Sequence, residues 1–600
     1  MNKLLKLHLV LFLLLIALYG FAQEKVTLSG HIRDAGNGEE LIGAAIFVQE
    51  LGTGTSTNAY GFYSLSINPG TYRVVASYLG FQSKTLEINL NANKNLEIEL
   101  DAEGLVIEEV VVTAKEADRN VKDIEMSVEN LSAAQIKKIP QVLGEADLIR
   151  SIQLLPGVST VGEGATGFNV RGGNVDQNLI LLDEATVYNS SHLFGLFSVF
   201  NVDAIKDSKL YKGGIPAKYG GRLSSVLDVR QRDGNRKNFA ASGGIGLIAS
   251  RLTLEGPIQK DESSFMIAGR RSYGDLFLKF DPELKDNVVY FYDLNAKANF
   301  NISEKDRLYL SGYFGRDVFN FGNQFASDWG NATASLRWNH LFSDKLFSNF
   351  TAVYSDYGYS FGIREGSEAF DWDANIFNHV IKGDLSYFFT PKSKLDFGAE
   401  GNYYRFHPGR AVGVGEESIF NEIDIQHNHA LEAAVYLSYE HEPIKNLTLQ
   451  YGLRYSMFRR MGKEDVYLYE NDTPTDQSAI IDTISYDSWE AIETFTAPEP
   501  RFSANYVIND ANSIKFSYNR MRQYIHLVSN TTSATPIDIW TPSGKYVKPA
   551  TVDQFAIGYF KNFKDNSYEA SVEAFYKDFK NLLDFKDGAE LLLNETLETE

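Results

Sequence analysis

The feature that most restricts the fold is a period-2 pattern that persists, segment after segment, from residue 238 onward. In one segment Leu447, Leu449, Tyr451, Leu453, Tyr455 and Met457 share one face of an extended strand, and Thr448, Gln450, Gly452, Arg454 and Ser456 share the other. The same division sets Leu294, Ala296, Ala298, Phe300 and Ile302 against Asn295, Lys297, Asn299 and Asn301. It also sets Ala332, Ala334, Leu336 and Trp338 against Thr333, Ser335, Arg337 and Asn339. Runs of about 10 residues are what a tilted strand needs to cross a bilayer. A soluble sandwich alternates as well, so the links between runs decide the matter. Short links at 256–262, 303–305, 343–345, 390–393, 442–445, 509–512 and 564–566 interleave with long ones at 272–288, 317–330, 359–375, 407–426, 459–499 and 523–549. That segregation predicts an antiparallel transmembrane β-barrel with tight turns on one rim and loops on the other.

Composition agrees with this reading. Tyr (33) and Phe (40) are abundant, and clusters such as Tyr290-Phe291-Tyr292, Tyr387-Phe388-Phe389 and Tyr403-Tyr404 fall at strand ends, where interfacial girdles form. The mean hydropathy of -0.23 does not argue against a membrane, because alternate residues of a barrel face water. With a tight link near Ala249-Ser250, roughly 15 strands are counted through Phe579, whereas single-chain bacterial barrels have an even number. The barrel of residues 238–600 is therefore expected to be incomplete, lacking C-terminal strands.

The absence of Cys excludes disulfides, thiolate metal sites and a cysteine nucleophile. A net charge of -21 and a pI near 5.0 exclude a nucleic-acid partner, which requires a basic surface. Lys3 and Lys6, the apolar stretch 7–19 and Gly20-Phe21-Ala22 form a secretory signal, residues 1–22, too short to span a bilayer as a helix.

Residues 23–101 alternate in short strands with glycines at the bends, which predicts a small β-sandwich. The run from GHIRD through LIGAAIFV to GTGTSTNAYGFYSL resembles the carboxypeptidase regulatory-like domain at the front of Bacteroidetes outer-membrane receptors. His31 is the one imidazole of this stretch, so zinc hydrolysis lacks ligands, and His31 is expected to be an ordinary exposed strand residue. The linker 102–126 holds EEVVVTA at residues 108–114, a β-branched run suited to adding a strand to a partner's sheet edge. Glu109, Val110, Val111, Val112, Thr113 and Ala114 resemble a TonB box; the alternative is a last strand of the preceding sandwich.

Residues 127–237 are mixed α/β. LSAAQIKKIP predicts a helix ending at Pro140, and EADLIRSIQLLPGV an amphipathic helix stopped by Pro156-Gly157. FNVRGGN, NLILLDEATVYN and DAIKDSKLYKGGIPAKYGGRLSSVLDVRQRDG follow, and in this order they resemble the plug of a TonB-dependent receptor. The resemblance makes Arg171, Gly172 and Gly173 the plug's RG motif, 179–187 the strand and turn after it, and 212–229 the closing strands. It implies an outer-membrane importer of a siderophore, oligosaccharide, peptide or metal chelate. Ligand would bind the long loops and the upper plug, and the periplasmic C-terminal domain of TonB would capture residues 108–114 and supply the energy.

No cofactor is implied, and the substrate-binding residues are unknown from sequence. Loops 359–375 and 459–499 mix acids with aromatics. Starch-utilisation importers pair with a surface lipoprotein, but the Gly-Tyr-Gly-Thr that follows their TonB box is missing after VVVTA, which leaves that partner open. A passive porin and a non-transporting receptor or adhesin are the other readings. An enzyme is not expected: there is no nucleophile elbow and no P-loop. Among ten His, His427 and His429 at i and i+2 could share a strand face and hold a metal, but two ligands do not complete a site, so no metal is assigned. Glu416-Glu417 reads as solvated loop charge.

Overall fold

A computed structural model describes residues 25–103, 119–140, 144–162, 167–322, 324–470, 474, 479–528, 539–564 and 567–584. The leader and the segment Glu109 to Ala114 lie outside the described residues.

Residues 25–103 form the expected sandwich. Val26–Asp34 pairs with Phe62–Ile67, Lys94–Asn95 and Ile98–Leu100 in one sheet, while Thr53–Ser56, Ala45–Val48, Gly70–Ser77 and Lys84–Leu90 make the other. Their inward residues, among them Leu28, Ile46, Tyr63, Leu65, Val74 and Ile98, make one core. Gly30 is obligatory at its position, since a Cβ there would lie 2.0 Å from the Leu96 carbonyl. His31 departs from expectation: it is buried. The Phe62 ring sits 5.4 Å away and Glu97 accepts from, or is paired with, its Nδ1 at 3.0 Å. Alternation places a residue on a face; which neighbours cover that face is set by tertiary packing.

The middle domain is a five-stranded sheet in the order Ala185–Thr186, Asn178–Leu182, Ser225–Gln231, Ile205–Tyr211, Val128–Ser132. Both predicted helices exist but are short, Ala133–Ile136 with a Ser132/Gln135 capping box and Leu148–Gln153 capped by Asp147. They pack Ile136, Leu148, Ile149 and Ile152 on Ile180, Leu182, Leu210, Leu227 and Val229. The closing strands lie partly outside 212–229: the first ends at Tyr211, and much of the interval before Ser225 is irregular glycine-rich chain.

The remainder is a 16-stranded sheet in which, with Ile423–Asp424 set aside, strands from Ala240–Ile245 to Tyr568–Lys580 neighbour one another in sequence order. Among the described residues its two end strands are not hydrogen-bonded to each other. The chain turns after Ile245 and resumes as strand at Ala249, so Ala249-Ser250 open the second strand rather than form the link. Two of the expected long loops are mostly strand. Asp306–Phe321 pairs on with Phe325–Ser343 across 317–330, and Leu346–Ile363 and Phe370–Thr390 occupy most of 359–375. Pairing continues past the length a bilayer requires because the inner positions there, Phe319 and Trp329, are buried.

The side-chain distribution of this sheet is inverted relative to a soluble protein. In Phe325–Ser343 the polar residues Asn331, Thr333, Ser335, Arg337 and Asn339 are buried, while Leu336 and Trp338 are exposed. In Leu447–Met461, Arg454 and Ser456 are buried and Tyr451, Leu453 and Tyr455 exposed. An apolar exterior around a polar interior is the arrangement of a membrane barrel, and no helix is long and apolar enough to cross a membrane. The aromatic clusters are split by the same rule: Phe291 and Tyr404 point inward and are buried, so they are not girdle residues. Leu453→Arg, on the outward face at 50% exposure, is expected to cost about 2–4 kcal/mol, the range for an arginine near the bilayer midplane. A lowered urea midpoint of the receptor in lipid vesicles would show it, and an unchanged midpoint would place Leu453 outside the lipid.

Candidate functional site

Buried polar side chains from strands all along the sheet converge on the middle domain. Arg171 and Gly172 both have positive φ, 51° and 79°. This turn aims the Arg171 guanidinium outward, where Nη2 donates to Ser127 Oγ and to Glu573 Oε2 of Tyr568–Lys580, each at 2.8 Å, with the Phe575 ring 4.7 Å from its Cζ. Gly173 must lack a side chain, because a Cβ would lie 2.3 Å from Ser224 Oγ. The three residues expected to matter are thus brought together, with Arg171 bonded to the wall rather than to solvent.

A second turn does the same with opposite charge. Asp183 and Glu184, both at positive φ, face Lys297, Arg337 and Lys382 of three different strands. Lys297 Nζ is 3.6 Å from Asp183, Arg337 Nε 3.3 Å from Glu184 and Lys382 Nζ 3.8 Å from Glu184. A third contact centres on His192, whose Nδ1 lies 2.6 Å from Asp317 and whose Nε2 lies 3.4 Å from Asp293, itself held by Arg270 at 2.6 Å. Burial alone lowers the His192 pKa, but the Asp317 and Asp293 carboxylates overcome it and hold the imidazole protonated above its usual range. Main-chain oxygens complete the seam: Arg454 donates to Lys218 O, Arg501 to Tyr219 O and Lys577 to Val170 O, at 3.3, 3.3 and 3.1 Å. None of the acids, nor His192, carried a local sequence signal beyond the DEATVYN turn.

Toward the loops the lining changes to aromatic. Leu193 and Phe197 of the middle domain join Phe291, Phe319, Trp329, Tyr357, Trp372, Tyr404, Phe406, Phe458, Tyr524 and Trp540 in one cluster. Beyond it a cavity of about 120 Å³ is lined by Pro408, Ile425, Gln426, Tyr467, Tyr469 and Tyr546 among others. His427 and His429 do not act together. The His429 ring is hydrogen-bonded through Nδ1 to Tyr403 OH at 2.8 Å, while His427 stacks on His407 at 4.3 Å with Asp424 beside them.

Residues 271–592, more than half of the chain, match the family described as TonB dependent receptor-like, beta-barrel. The chain belongs to the TonB-dependent receptor family. Residues 28–112 match the CarboxypepD_reg-like domain and residues 120–225 the TonB-dependent Receptor Plug Domain, so the middle domain is the plug. TonB-dependent receptor P3 of Formosa agariphila is 33% identical over 147 residues, 24% of this chain and 14% of that protein. TonB-dependent receptor SusC of Bacteroides thetaiotaomicron is 27% identical over 245 residues, 38% of this chain and 23% of that protein. The matched segment thus spans less than a quarter of either relative's length. Among solved structures, the copper transporter OprC superposes with a TM-score of 0.57 at 9% identity, covering 77% of this chain and 73% of that one. The siderophore receptor PirA from Pseudomonas aeruginosa does so at 0.53 and 14% identity, covering 76% of each. At such identities the likeness is one of fold.

Two outcomes follow for the plug–barrel seam. Arg171→Met leaves Glu573 and Ser127 facing an apolar side chain; breaking a buried pair of this kind costs about 3–5 kcal/mol, so limited trypsin digestion should cut the plug at lower urea than in the parent. Equal resistance would remove Arg171 from the fastening. His192, with its folded pKa raised, contributes stability that is fully present below its unfolded value of about 6.5 and is lost as pH rises through the folded value. Plug amide exchange should therefore quicken above neutrality in the parent and lose that dependence in His192→Gln.

Proposed function

We propose that this chain is the ligand gate of an outer-membrane importer that takes up a nutrient and draws its energy from the inner-membrane TonB complex. The observation that carries the reading is the seam itself: the plug is fastened to the barrel through charged and polar groups from many strands, not through an apolar core. Such contacts exchange for water with small net change, so a plug held this way is displaceable without unfolding the wall. A permanently closed structural core would favour apolar packing, and a passive channel would leave the inward arginines and lysines facing water.

Ligand binds at the aromatic lining where loops and plug meet, surfaces that stack on sugars, siderophores or peptides and on the organic part of metal chelates. Binding displaces the N-terminal linker toward the periplasm, where residues 108–114 add a strand to the C-terminal domain of TonB. Deleting residues 110–114 is expected to abolish binding of that purified TonB domain to the receptor while leaving ligand affinity unchanged. Retained TonB binding would refute the assignment of the box, and loss of both would point to a folding role as part of the sandwich.

A further inference from the structure

The loop between Ser393–Gly413 and Asn428–Ile444 folds back on the strand it leaves. Ile423–Asp424 pairs with Arg410 and Ala411, Ile425 N donates to Gly409 O at 2.9 Å, and Arg410 is braced by Glu422 at 2.7 Å. These bonds place Asp424 and His427 over His407, which sits on the loop-side half of a 21-residue strand, twice the length a bilayer needs. The candidate ligand atoms of His407, Asp424 and His427 all lie within 4.8 Å of one another. The two imidazole rings are nearly parallel, 4.3 Å apart at 17°. His407 Nε2 is buried without a hydrogen bond and lies 3.5 Å from Asp424 Oδ1.

We propose that His407, Asp424 and His427 bind one divalent transition-metal ion of the zinc class on the loop side of the barrel. Two imidazoles and a carboxylate are the borderline-soft donor set such ions prefer over calcium or magnesium, which take oxygen ligands. Around an ion with bonds near 2.1 Å, tetrahedral donors stand about 3.4 Å apart, so closure requires side-chain movements on the order of 1 Å and no backbone change. A neutral imidazole Nε2 aimed at a carboxylate without bonding to it is the geometry expected of a ligand before its ion, whereas a simple ion pair would close to hydrogen-bond distance. Three protein ligands leave a coordination position open. The adjoining residues Pro408, Ile425 and Gln426 line the loop-side cavity, so an exogenous donor can reach that position. The site stands independently of whether the chain transports anything.

The test is calorimetric titration of zinc sulfate into the full-length receptor, purified from outer membranes without an oligohistidine tag, with cobalt absorption as a second readout. One saturable equivalent per chain is expected, with a tetrahedral cobalt spectrum. H407Q and H427Q should each weaken binding about tenfold or more, since loss of an outer-shell partner alone costs 10–100-fold. Asp424→Asn, at an exposed position, should do likewise without touching a buried side chain. H429Q should bind as the parent does. The proposal is overturned by absence of saturable binding, by unchanged affinity in the H407Q/H427Q double variant, or by a loss in H429Q equal to that in H427Q.

Discussion

A strand in lipid has no water to satisfy its peptide groups, so each must pair sideways with its neighbours, and every second side chain is given to the hydrocarbon. The rest of this structure depends on that constraint. Once Leu336, Trp338, Leu453 and Tyr455 are committed outward, Arg337, Arg454 and their counterparts are forced inward, where they are buried. Charges buried in this way require partners. The plug supplies them: the Asp183-Glu184 turn for Lys297, Arg337 and Lys382, and main-chain oxygens of its closing segment for Arg454 and Arg501.

The seam also concentrates backbone strain. Arg171, Asp183, Glu184, Leu193 and Phe194 all have positive φ without being glycine, and they occupy the plug turns that meet the barrel. Each such residue costs on the order of 1–3 kcal/mol, and it persists only where its surroundings hold it. Release from the wall would relieve this strain as the polar contacts are exchanged for water. Chemistry and backbone geometry therefore favour motion at the same place, which is what a gate needs.

How far the sequence could be read follows from the range of each signal. Strand alternation and the tight turns are local, and they were legible because a period of two survives without tertiary information. The glycine pair after Arg171 was legible for the same reason. The barrel partners of the plug were not: His192 and Asp317 lie 125 residues apart, and nothing local to either announces the other. The pairing of His427 with His407 rather than His429 depends on a loop that folds back through long-range bonds, and the strand extensions above the membrane depend on what their inner faces meet. His31 failed in the same way, since its covering residues Phe62 and Glu97 come from other strands.

The central claim is that the plug is a separable unit fastened by polar contacts inside a wall that stays intact. Native-state hydrogen exchange of the receptor in lipid vesicles at subdenaturing urea tests it most directly, because it reads the opening of each element separately. The account predicts that amides of Asn178–Leu182 and Ser225–Gln231 exchange together through a low-energy opening while those of Leu447–Met461 stay protected. Linking the plug to the wall should suppress that opening, for which Ala217→Cys with Gly452→Cys is suited: a Cβ at Gly452 would lie 3.3 Å from that of Ala217, and the chain has no other cysteine. Exchange of plug and barrel amides in a single step, at one urea concentration, would contradict it.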